Sequence, residues 1–583
     1  MNAAYLSIFV LICFYLGFRY YSLYISKNIF NIYGHYKTPA NRYNDGIDYV
    51  PTSKHILFGH HFTSIAGAAP IIGPCIAVYW GWLPAILWIL IGTIFMGSVH
   101  DFGALVISVK EKGKSIANIT SSVVNKRAKI MFLIFVMLLT WLVLAVFAMA
   151  IAGLFISVPS AVIPINIEII IAIIIGYLIH RKGYNALLPS IFALVLLYFF
   201  IWVGTIYPIS LNINWNYKLS FLQSWFDLSN INAKSIWIIL LFLYSSIASL
   251  LPVWVLLQPR DFINSHQLIV GLSLIFLAIF LIQPSIDAPM IRSSADPSAP
   301  PIFPMLFVTI ACGAISGFHG LVSSGTTSKQ INKLSDTRLI GYGAMLGEGT
   351  LALASTIAAV AGISLVTNCS LPSIGTVENL NWNIYYDSWA HASINKATAF
   401  VLGGGALIEQ IGFPNNIAKT IIAVMVISFA ATTLDTATRI QRLIITEFGS
   451  AIKIKILQNR YIATLLTIIP AIILTLWSTK DPSTGNIKEA AWILWPLFGA
   501  SNQMLAALTL LVICLYFWKR EKRVLPIIIP MIIIMIITVT SLIINLQRFY
   551  IQGNLSLLYI NCIMIGLISW MIVEGVIVFL KKR

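Results

Sequence analysis

Long apolar segments separated by short polar loops follow one another along the sequence from Tyr5 to Leu580. A helix needs about 20 apolar residues to cross a bilayer, and the segments reach that length repeatedly. Each segment is continuously apolar rather than alternating, which excludes a membrane β-barrel. We therefore predict an all-α polytopic membrane protein of about fifteen transmembrane helices. The predicted spans lie near 3–24, 58–79, 83–108, 130–156, 162–180, 186–206, 236–257, 267–283, 302–322, 339–366, 417–438, 460–477, 489–516, 524–545 and 555–580.

The composition agrees with this pattern. Of the 583 residues, 58% are hydrophobic and 10% are charged, whereas a soluble domain has roughly a quarter charged residues. The net charge of +17 is assigned to cytoplasmic loops rather than to a nucleic-acid partner. The six cysteines are scattered without a C-x-x-C pair, which predicts neither a disulfide framework nor a zinc site. No cofactor is predicted.

The basic residues fall in clusters that predict a topology. These clusters lie near 110–129, 180–182, 329–338, 439–460, 519–523 and 581–583. They share one side of the membrane only if the ambiguous segment near 397–412 does not cross. We therefore expect that segment to be re-entrant or peripheral, with the N-terminus outside and the C-terminus inside. No basic region precedes the first apolar segment and no cleavage motif follows it, so we expect a retained span rather than a signal peptide.

A short internal repeat predicts how the spans are organised. The stretch FTSIAGAAP (Phe62 to Pro70) aligns without gaps to YSSIASLLP (Tyr244 to Pro252), and under the predicted topology the two run in opposite directions. Oppositely inserted halves that each open on a broken helix are typical of secondary transporters. We predict one transmembrane domain over 1–583, with inverted halves at 58–206 and 236–438 and peripheral helices at 460–583. The polar stretches 26–57, 207–235 and 367–396 are too short for a separate soluble domain.

Glycine and proline within the repeat predict the substrate site. Proline removes a backbone donor and glycine lowers the cost of unwinding a helix. Free backbone groups at membrane depth are tolerated only where they line a cavity or are buried in protein. The residues predicted to bind substrate are Ser64, Gly67, Pro70, Ser246, Ser249 and Pro252.

Eight motifs together resemble the carbon starvation protein (CstA) family. They are NDGIDYVPT, FGHHFTSIAGAAPIIGP, HDFGALVIS, LPVWVLLQPRDF, ACGAISGFHGLVSSGTTSK, IGYGAMLGE, LDTATR and WPLFGASNQMLA, and they occur in this order over most of the chain. The resemblance implies an inner-membrane secondary transporter for pyruvate with protons, or for peptides. It also implies a fold similar to the five-plus-five inverted repeat of LeuT-like symporters. Compared with larger members, the chain starts almost directly at its first span, and its outer stretch 367–416 is abbreviated.

Ionisable residues inside predicted spans are the candidates for proton coupling, because such groups are costly in a membrane. His60 and His61 stand at the start of the broken helix and titrate near neutral pH; a purely structural hydrogen-bonded pair is the alternative. A metal site with His100 is weaker, because adjacent histidines on a helix point about 100° apart. Asp101 lies in the inner third of its span, and Glu348 is the deepest acid and the better proton carrier.

Asp435 and Arg439 are four residues apart near the inner end of their span. Residues at this spacing face each other on a helix, so a structural salt bridge is expected, although a role in gating is also open. No metal site is predicted.

Sodium is an alternative coupling ion. In sodium symporters of similar fold, hydroxyl groups on the helix equivalent to GLVSSGTTS complete an ion site with carbonyls of the first broken helix. The hydroxyls in question are Ser323, Ser324, Thr326 and Thr327. Hard oxygen ligands suit a small cation, but packing of hydroxyls between helices is also common.

Together these features favour a proton-coupled importer of a small carboxylate or short peptide, with the lipid bilayer as its environment. A different class, an ion channel or a membrane sensor of starvation, stays open. An intramembrane enzyme finds no motif such as H-E-x-x-H, so no enzymatic activity is predicted.

Overall fold

Membrane-length helices form most of the architecture. The computed structural model describes residues 1–583 except 35, 47, 185–186, 212–231, 293–295, 298, 372–374, 395–396, 481–486, 490–493 and 582–583. Within the described residues, twelve helices are long and apolar enough to cross a membrane, and a thirteenth span is counted if Lys54–Ile65 and Ala69–Trp80, bent by 47°, are taken together. Most of the polar stretch 207–235, the start of the span near 489–516 and the last two residues of the basic cluster 581–583 lie outside the described residues.

The predicted number of about fifteen spans is therefore not confirmed within the described residues. Two predicted spans have another form in the structure. The helix Arg460–Leu476 has only 17 residues. The predicted span 302–322 is divided into three short helices, which end at Thr309, Ala314 and Gly325. The mostly helical, multi-pass architecture itself is confirmed.

The first part of the chain forms a series of helices, and some of them begin directly after a polar residue that caps the first turn. Asn2, Ser115 and Asn125 each accept a hydrogen bond from the first turn of the helix that follows, which satisfies one of the free amides at a helix start. These helices are α1 (Ala3–Leu16), α2 (Ser22–Ile25), α3 (Pro39–Arg42), α4 (Lys54–Ile65), α5 (Ala69–Ala77), α6 (Trp82–Ile91), α7 (Ser98–Lys110), α8 (Ile116–Val123), α9 (Lys126–Ser157), α10 (Val162–Lys182), α11 (Leu187–Ile206), α12 (Ala233–Leu250) and α13 (Leu257–Ile282).

The second part of the chain continues in the same way, with two small antiparallel hairpins. Its helices are α14 (Ile302–Thr309), α15 (Ala311–Ala314), α16 (Gly317–Gly325), α17 (Ala344–Ile357), α18 (Trp382–Tyr385), α19 (Trp389–Ile394), α20 (Thr398–Gln410), α21 (Asn415–Ala451), α22 (Arg460–Leu476), α23 (Trp495–Trp518), α24 (Leu525–Ile551) and α25 (Leu555–Leu580). Strand β1 (Asn368–Leu371) pairs with β2 (Gly375–Glu378), and β3 (Ser478–Lys480) pairs with β4 (Ile487–Glu489).

The long helices α9 and α21 pack along each other at the centre of the bundle. Helix α23 is also central, with 94% of its most apolar stretch buried in protein, whereas α25 is peripheral with 22% buried. Helix α20 has 13 residues and is not among the spanning helices. This agrees with the expectation that 397–412 does not cross the membrane.

The loops that carry the basic clusters meet at one end of the bundle, which we call the basic face. There the Arg520 guanidinium lies 3.4 Å from the Glu111 carboxylate, and Lys519 donates to the backbone carbonyl of Val123 at 2.6 Å. The Gln258 amide, beside the 180–182 cluster, donates to the side chain of Gln330 at 3.0 Å. Clusters that are far apart in sequence are thus neighbours in the structure.

The opposite face is covered by the segment that carries β1, β2, α18 and α19. The guanidinium of Arg292 stacks on the ring of Tyr79 at 4.2 Å and donates to the backbone carbonyl of Tyr386 at 2.7 Å. The Tyr386 hydroxyl in turn donates to the carbonyl of Cys75 in α5 at 2.6 Å. Gly81 permits the close turn beneath, because its φ is +111° and a Cβ atom there would lie 2.5 Å from a neighbouring carbonyl.

Candidate functional site

The predicted break in the first repeat is present between α4 and α5. Ala66 leaves the helical region of the backbone, and Pro70 lies in the first turn of α5. Gly67 is closely packed, since a Cβ atom on it would lie 2.7 Å from the Thr433 hydroxyl and 3.2 Å from the ring of Phe147. Gly67 therefore permits helix contact and does not line open space in this conformation.

The second predicted break is wrong in its position. Helix α12 runs without interruption to Leu250, and Pro252 lies in the turn before α13. Ser246 and Ser249 donate to carbonyls of their own helix, at 2.6 and 2.9 Å. The interruption occurs instead at Ile315 and Ser316, which are extended and separate α15 from α16. The similarity of the two nine-residue stretches misled the prediction because a proline ends a helix as readily as it breaks one.

Asn502 of α23 holds this second interruption in place. Its side-chain oxygen accepts from the Phe318 amide at 3.0 Å, and its amide donates to the Ser316 hydroxyl at 2.9 Å. The side chain therefore caps α16 from another helix. The N-terminal end of α16 carries a partial positive charge, which stabilises negative charge near its first turn.

Four ionisable side chains on three helices form what we call the histidine–carboxylate cluster. Its members are His100 and Asp101 of α7, His319 of α16 and Glu348 of α17, and all are buried. Asp101 contacts His100 Nδ1 at 2.7 Å with one oxygen and His319 Nδ1 at 2.9 Å with the other. His319 Nε2 lies 3.3 Å from Glu348, within ion-pair distance but without the alignment of a hydrogen bond. Glu348 is thus the least restrained member of the cluster.

The two adjacent histidines of α4 face different partners. His60 Nδ1 contacts the carboxylate of Asp261 in α13, and Ser64 donates to the same carboxylate at 3.3 Å. His61 Nδ1 lies 2.9 Å from the hydroxyl of Thr327. The side chains diverge as expected for neighbours on a helix. The metal site considered with His100 is therefore not formed by these contacts.

A second buried network, the arginine cluster, surrounds Arg260. Its guanidinium donates to Glu168 of α10 at 3.0 Å, to Asp435 of α21 at 2.6 Å and to the Tyr244 hydroxyl at 2.7 Å. Tyr244 donates to Asp435 at 2.8 Å, and Ser428 donates to Glu168 at 2.7 Å. The arginine is fully buried, so these contacts replace water around its charge.

The expected Asp435–Arg439 salt bridge is wrong. Asp435 pairs with Arg260, whereas Arg439 donates to the Leu251 carbonyl and lies 3.8 Å from Asp48 near the basic face. Asp435 therefore pairs with an arginine on another helix rather than with Arg439 on its own helix. The spacing of residues along one helix does not predict such a contact between helices.

The predicted hydroxyl site for a cation is not assembled around one point. Ser324 and Thr326 donate to carbonyls of their own helix, at 2.7 and 3.0 Å. Thr327 pairs with His61, as described above. Ser323 is buried and, within the described residues, makes no hydrogen bond. These hydroxyls therefore serve helix packing in this conformation.

Sequence reasoning missed five candidate side chains of these buried networks, namely Glu168, Tyr244, Arg260, Asp261 and His319. Glu168 and His319 lie inside predicted spans, so the rule that intramembrane ionisable groups are functional would have found them. Arg260 and Asp261 lie just beyond the predicted end of a span and looked like loop residues. The structure extends α13 back to Leu257 and buries both.

Two cavities open near the basic face. The larger, the basic-face cavity, has a volume of about 210 Å³ and lies between α8, α9, α16 and α21; Tyr49, Ser115, Leu133, Lys329, Ile440 and Glu447 are among its lining residues. The smaller, about 130 Å³, is lined by Thr52, His180 and Gln258 among others. Neither cavity reaches Gly67 or Pro70.

Comparisons with known proteins match most of the chain. A family model described as carbon starvation protein CstA matches residues 2–541. The peptide transporter CstA of Helicobacter pylori is 32% identical over an alignment of length 567 that covers 91% of this chain and 80% of that protein. The pyruvate/proton symporter BtsT of Escherichia coli is 31% identical over an alignment of length 589 that covers 90% of this chain and 79% of that protein. A solved structure of a mutant manganese transporter from Eremococcus coleocola has 14% identity and a TM-score of 0.45, covering 92% of this chain and 99% of that one.

Proposed function

Because the chain belongs to the carbon starvation protein CstA family, a family of multi-pass bacterial inner-membrane proteins, we propose that it is a proton-coupled secondary transporter. We propose further that it imports a short peptide or a small carboxylate such as pyruvate. The names of its relatives, a peptide transporter and a pyruvate/proton symporter, support these two substrate classes.

The observation that carries the proposal is the histidine–carboxylate cluster. Two carboxylates and two histidines share one buried site that holds no arginine or lysine, so its net charge depends on bound protons. Histidine is the side chain that ordinarily changes charge near neutral pH. We assign Glu348 as the proton carrier and His319 as the group that exchanges the proton with it. Asp101 holds His319 in position through Nδ1.

The position of His319 links protonation to helix movement. His319 lies in the first turn of α16, directly after the non-helical residues Ile315 and Ser316. A backbone interruption is a natural hinge, because few hydrogen bonds resist its rotation. In this mechanism, proton transfer between Glu348 and His319 changes the attraction between α16 and α17, and α16 tilts about the interruption.

We also propose an inverted repeat with revised halves, 54–282 and 302–518. Each half opens on an interrupted helix and continues with a long span, a short helix and a central helix. In the first half these are α4–α5, α6–α7, α8 and α9; in the second they are α14–α16, 334–365, α20 and α21. The pairs α12 and α22, and α13 and α23, complete the five, while α10 and α11 form an insertion.

Two features support this pairing. When the chain is followed from helix to helix, each helix of the first half runs in the direction opposite to that of its partner in the second half. Equivalent helices also contact each other, as α9 with α21, α5 with α15 and α12 with α22. The basic face is assigned to the cytoplasm by its lysine and arginine content, which gives an outside N-terminus and an inside C-terminus.

Uptake into proteoliposomes tests the proposed function. The purified protein is reconstituted, and uptake of labelled alanylleucine and of pyruvate is measured with an acidic exterior, with equal pH on both sides, and with sodium replaced by choline. We expect an inward proton gradient to drive accumulation of at least one substrate whether or not sodium is present. Accumulation that requires sodium and ignores the pH gradient would contradict proton coupling.

A further inference from the structure

The basic-face cavity is lined by charges of both signs, namely Glu447 of α21 and the lysines Lys114 and Lys329. We propose that it is a substrate-binding site on the release side, and that its ligand is a zwitterion, an amino acid or short peptide with a free amine and a free carboxylate. Glu447 receives the ammonium group and Lys329 the carboxylate. This inference rests on the proposed transport function and selects the peptide-like class of substrate over a simple anion.

The interior of the cavity is apolar. Side chains from three helices form its walls: Leu133 and Val136 of α9, Leu321 of α16, and Ile440 and Ile444 of α21. Such walls favour an apolar side chain on the ligand, because burial of apolar surface contributes about 25 cal/mol per Å². The volume of about 210 Å³ is below the range of roughly 300–1,000 Å³ that holds drug-sized ligands. A ligand of one or two small residues is therefore the appropriate size.

Glu447 and Lys329 each contact an uncharged neighbour. The Glu447 carboxylate accepts a hydrogen bond from the Ser115 hydroxyl at 2.8 Å. The Lys329 ammonium lies 5.5 Å from the centre of the Tyr49 ring. Within the described residues, neither group has an ion-pair partner within 4.0 Å. Each is partly buried, so each gains from a charged ligand that replaces lost water.

A monoanion is a poorer match for this set of lining groups. Pyruvate offers Lys114 and Lys329 a carboxylate, but it offers Glu447 no donor. A zwitterion satisfies both groups at once, and its amine forms a charge-assisted hydrogen bond with Glu447. The lining residues thus favour a short peptide over pyruvate, whereas the names of the relatives support both substrates.

Helix α16 connects the cavity with the histidine–carboxylate cluster. His319 stands in its first turn, and Ser324 and Gly325 at its end line the cavity. Five residues of helix separate His319 from Ser324, about 8 Å along the axis. Ser324 also accepts a hydrogen bond from the Ile116 amide of α8 at 3.2 Å. A tilt of α16 therefore alters the cavity wall, which couples ligand release to the proton.

Ligand variants test the inference on the unmodified protein. Binding of alanylleucine, its N-acetyl derivative, its C-terminal amide and pyruvate is measured on the purified full chain in lipid nanodiscs. We expect alanylleucine to bind at least tenfold more tightly than either blocked derivative or pyruvate. Equal affinity for the blocked and free peptides, or no binding of the peptide at all, would overturn the proposal.

Single substitutions at Glu447 and Lys329 identify which charged group of the ligand each residue binds. Glu447→Gln should lower affinity for alanylleucine at least tenfold and leave the N-acetyl derivative unchanged, because that derivative has no ammonium group. Lys329→Gln should lower affinity for alanylleucine and its N-acetyl form and leave the amide unchanged. Glu111→Gln and Lys333→Gln alter nearby charges on the basic face outside the cavity and should have no effect. Equal losses for every ligand in either cavity variant would contradict the assignment.

The result also separates this inference from the proposed function. A protein that accumulates pyruvate with protons but fails the zwitterion preference retains the function and loses the inference. A protein that binds alanylleucine with the expected selectivity but shows no proton-driven uptake retains the site and loses the coupling.

Discussion

The two buried charge networks of this protein differ in what holds them together. The arginine cluster is centred on Arg260, whose guanidinium stays protonated in any protein environment. It joins Glu168 and Asp435 across α10, α13 and α21. The histidine–carboxylate cluster joins Asp101 and Glu348 through His319 and contains no permanent cation. One network therefore has fixed charges, and the other changes its charge with each proton.

This difference predicts different roles for the two networks. A buried pair with a permanent cation is costly to break, because the remaining charges are left without water or partner. We expect its geometry to persist through a transport cycle. A cluster whose cation exists only after protonation can be made and broken within the cycle. We therefore expect the arginine cluster to control stability and the histidine–carboxylate cluster to control coupling, and substitutions in each network test this division.

The largest expected effect on stability follows removal of the arginine charge. Arg260→Met keeps an apolar stem but leaves Glu168 and Asp435 buried without a cation, at a cost of about 3–5 kcal/mol. We expect little folded protein in the membrane and a strongly lowered melting temperature in detergent. Arg260→Lys, which keeps the charge without the forked geometry, should be intermediate. A melting temperature equal to the wild type in the methionine variant would refute the scaffold role.

A smaller loss of stability and a larger change in function are expected at His319. His319→Gln removes the titrating ring between Asp101 and Glu348, and we expect a cost of about 1–3 kcal/mol from imperfectly satisfied polar groups. The folded variant should transport without response to a pH gradient. Thermal unfolding and uptake are measured on the same preparation. If the proton gradient still drives accumulation, His319 has no part in coupling.

Within the arginine cluster, the tyrosine hydroxyl provides a finer test. Tyr244→Phe removes one donor to Asp435 and one acceptor from Arg260, so a cost of about 1 kcal/mol is expected. Because the charges remain paired, the dependence of uptake on pH should match the wild type. A shifted pH profile at unchanged stability would mean that the arginine cluster also handles protons.

The smallest effect is expected at a residue that sequence reasoning placed in the substrate site. Ser246 donates to a carbonyl of its own helix at 2.6 Å, so Ser246→Ala should change stability by less than about 0.5 kcal/mol. Affinity for alanylleucine should stay within twofold of the wild type. A loss of affinity of tenfold or more would support the substrate site predicted from the sequence and would contradict the assignment of binding to the basic-face cavity.

Much of the fold follows from the sequence because the bilayer sets the length of its helices. Spans such as α9 and α21 were expected near their observed positions, and the basic clusters were expected to share one face. The interruption at Ile315 and Ser316 was not expected, because neither residue is a glycine or a proline. It is stabilised by Asn502, nearly two hundred residues later in the chain. A contact between residues so far apart in the chain cannot be predicted from the local sequence.

The candidate site shows the same limit. Asp101 and Glu348 were recognised as costly charges within spans, and the structure brings both into one cluster with His319. The partners of Asp435 and His60 were not foreseen, since Arg260 and Asp261 come from a helix whose predicted start was ten residues too late. Composition and burial identify which groups matter, whereas three-dimensional packing decides which of them meet.

Proton transfer by Glu348 can be measured by comparing two modes of transport. Glu348→Gln keeps the shape of the side chain and removes its titratable proton. In proteoliposomes, net uptake driven by an acidic exterior and exchange of internal for external substrate at equal pH are measured side by side for wild type and variant. We expect the variant to lose at least nine-tenths of net proton-driven uptake, about 1.4 kcal/mol or more in rate terms, while exchange continues. Net uptake in the variant with the pH dependence of the wild type would contradict this expectation.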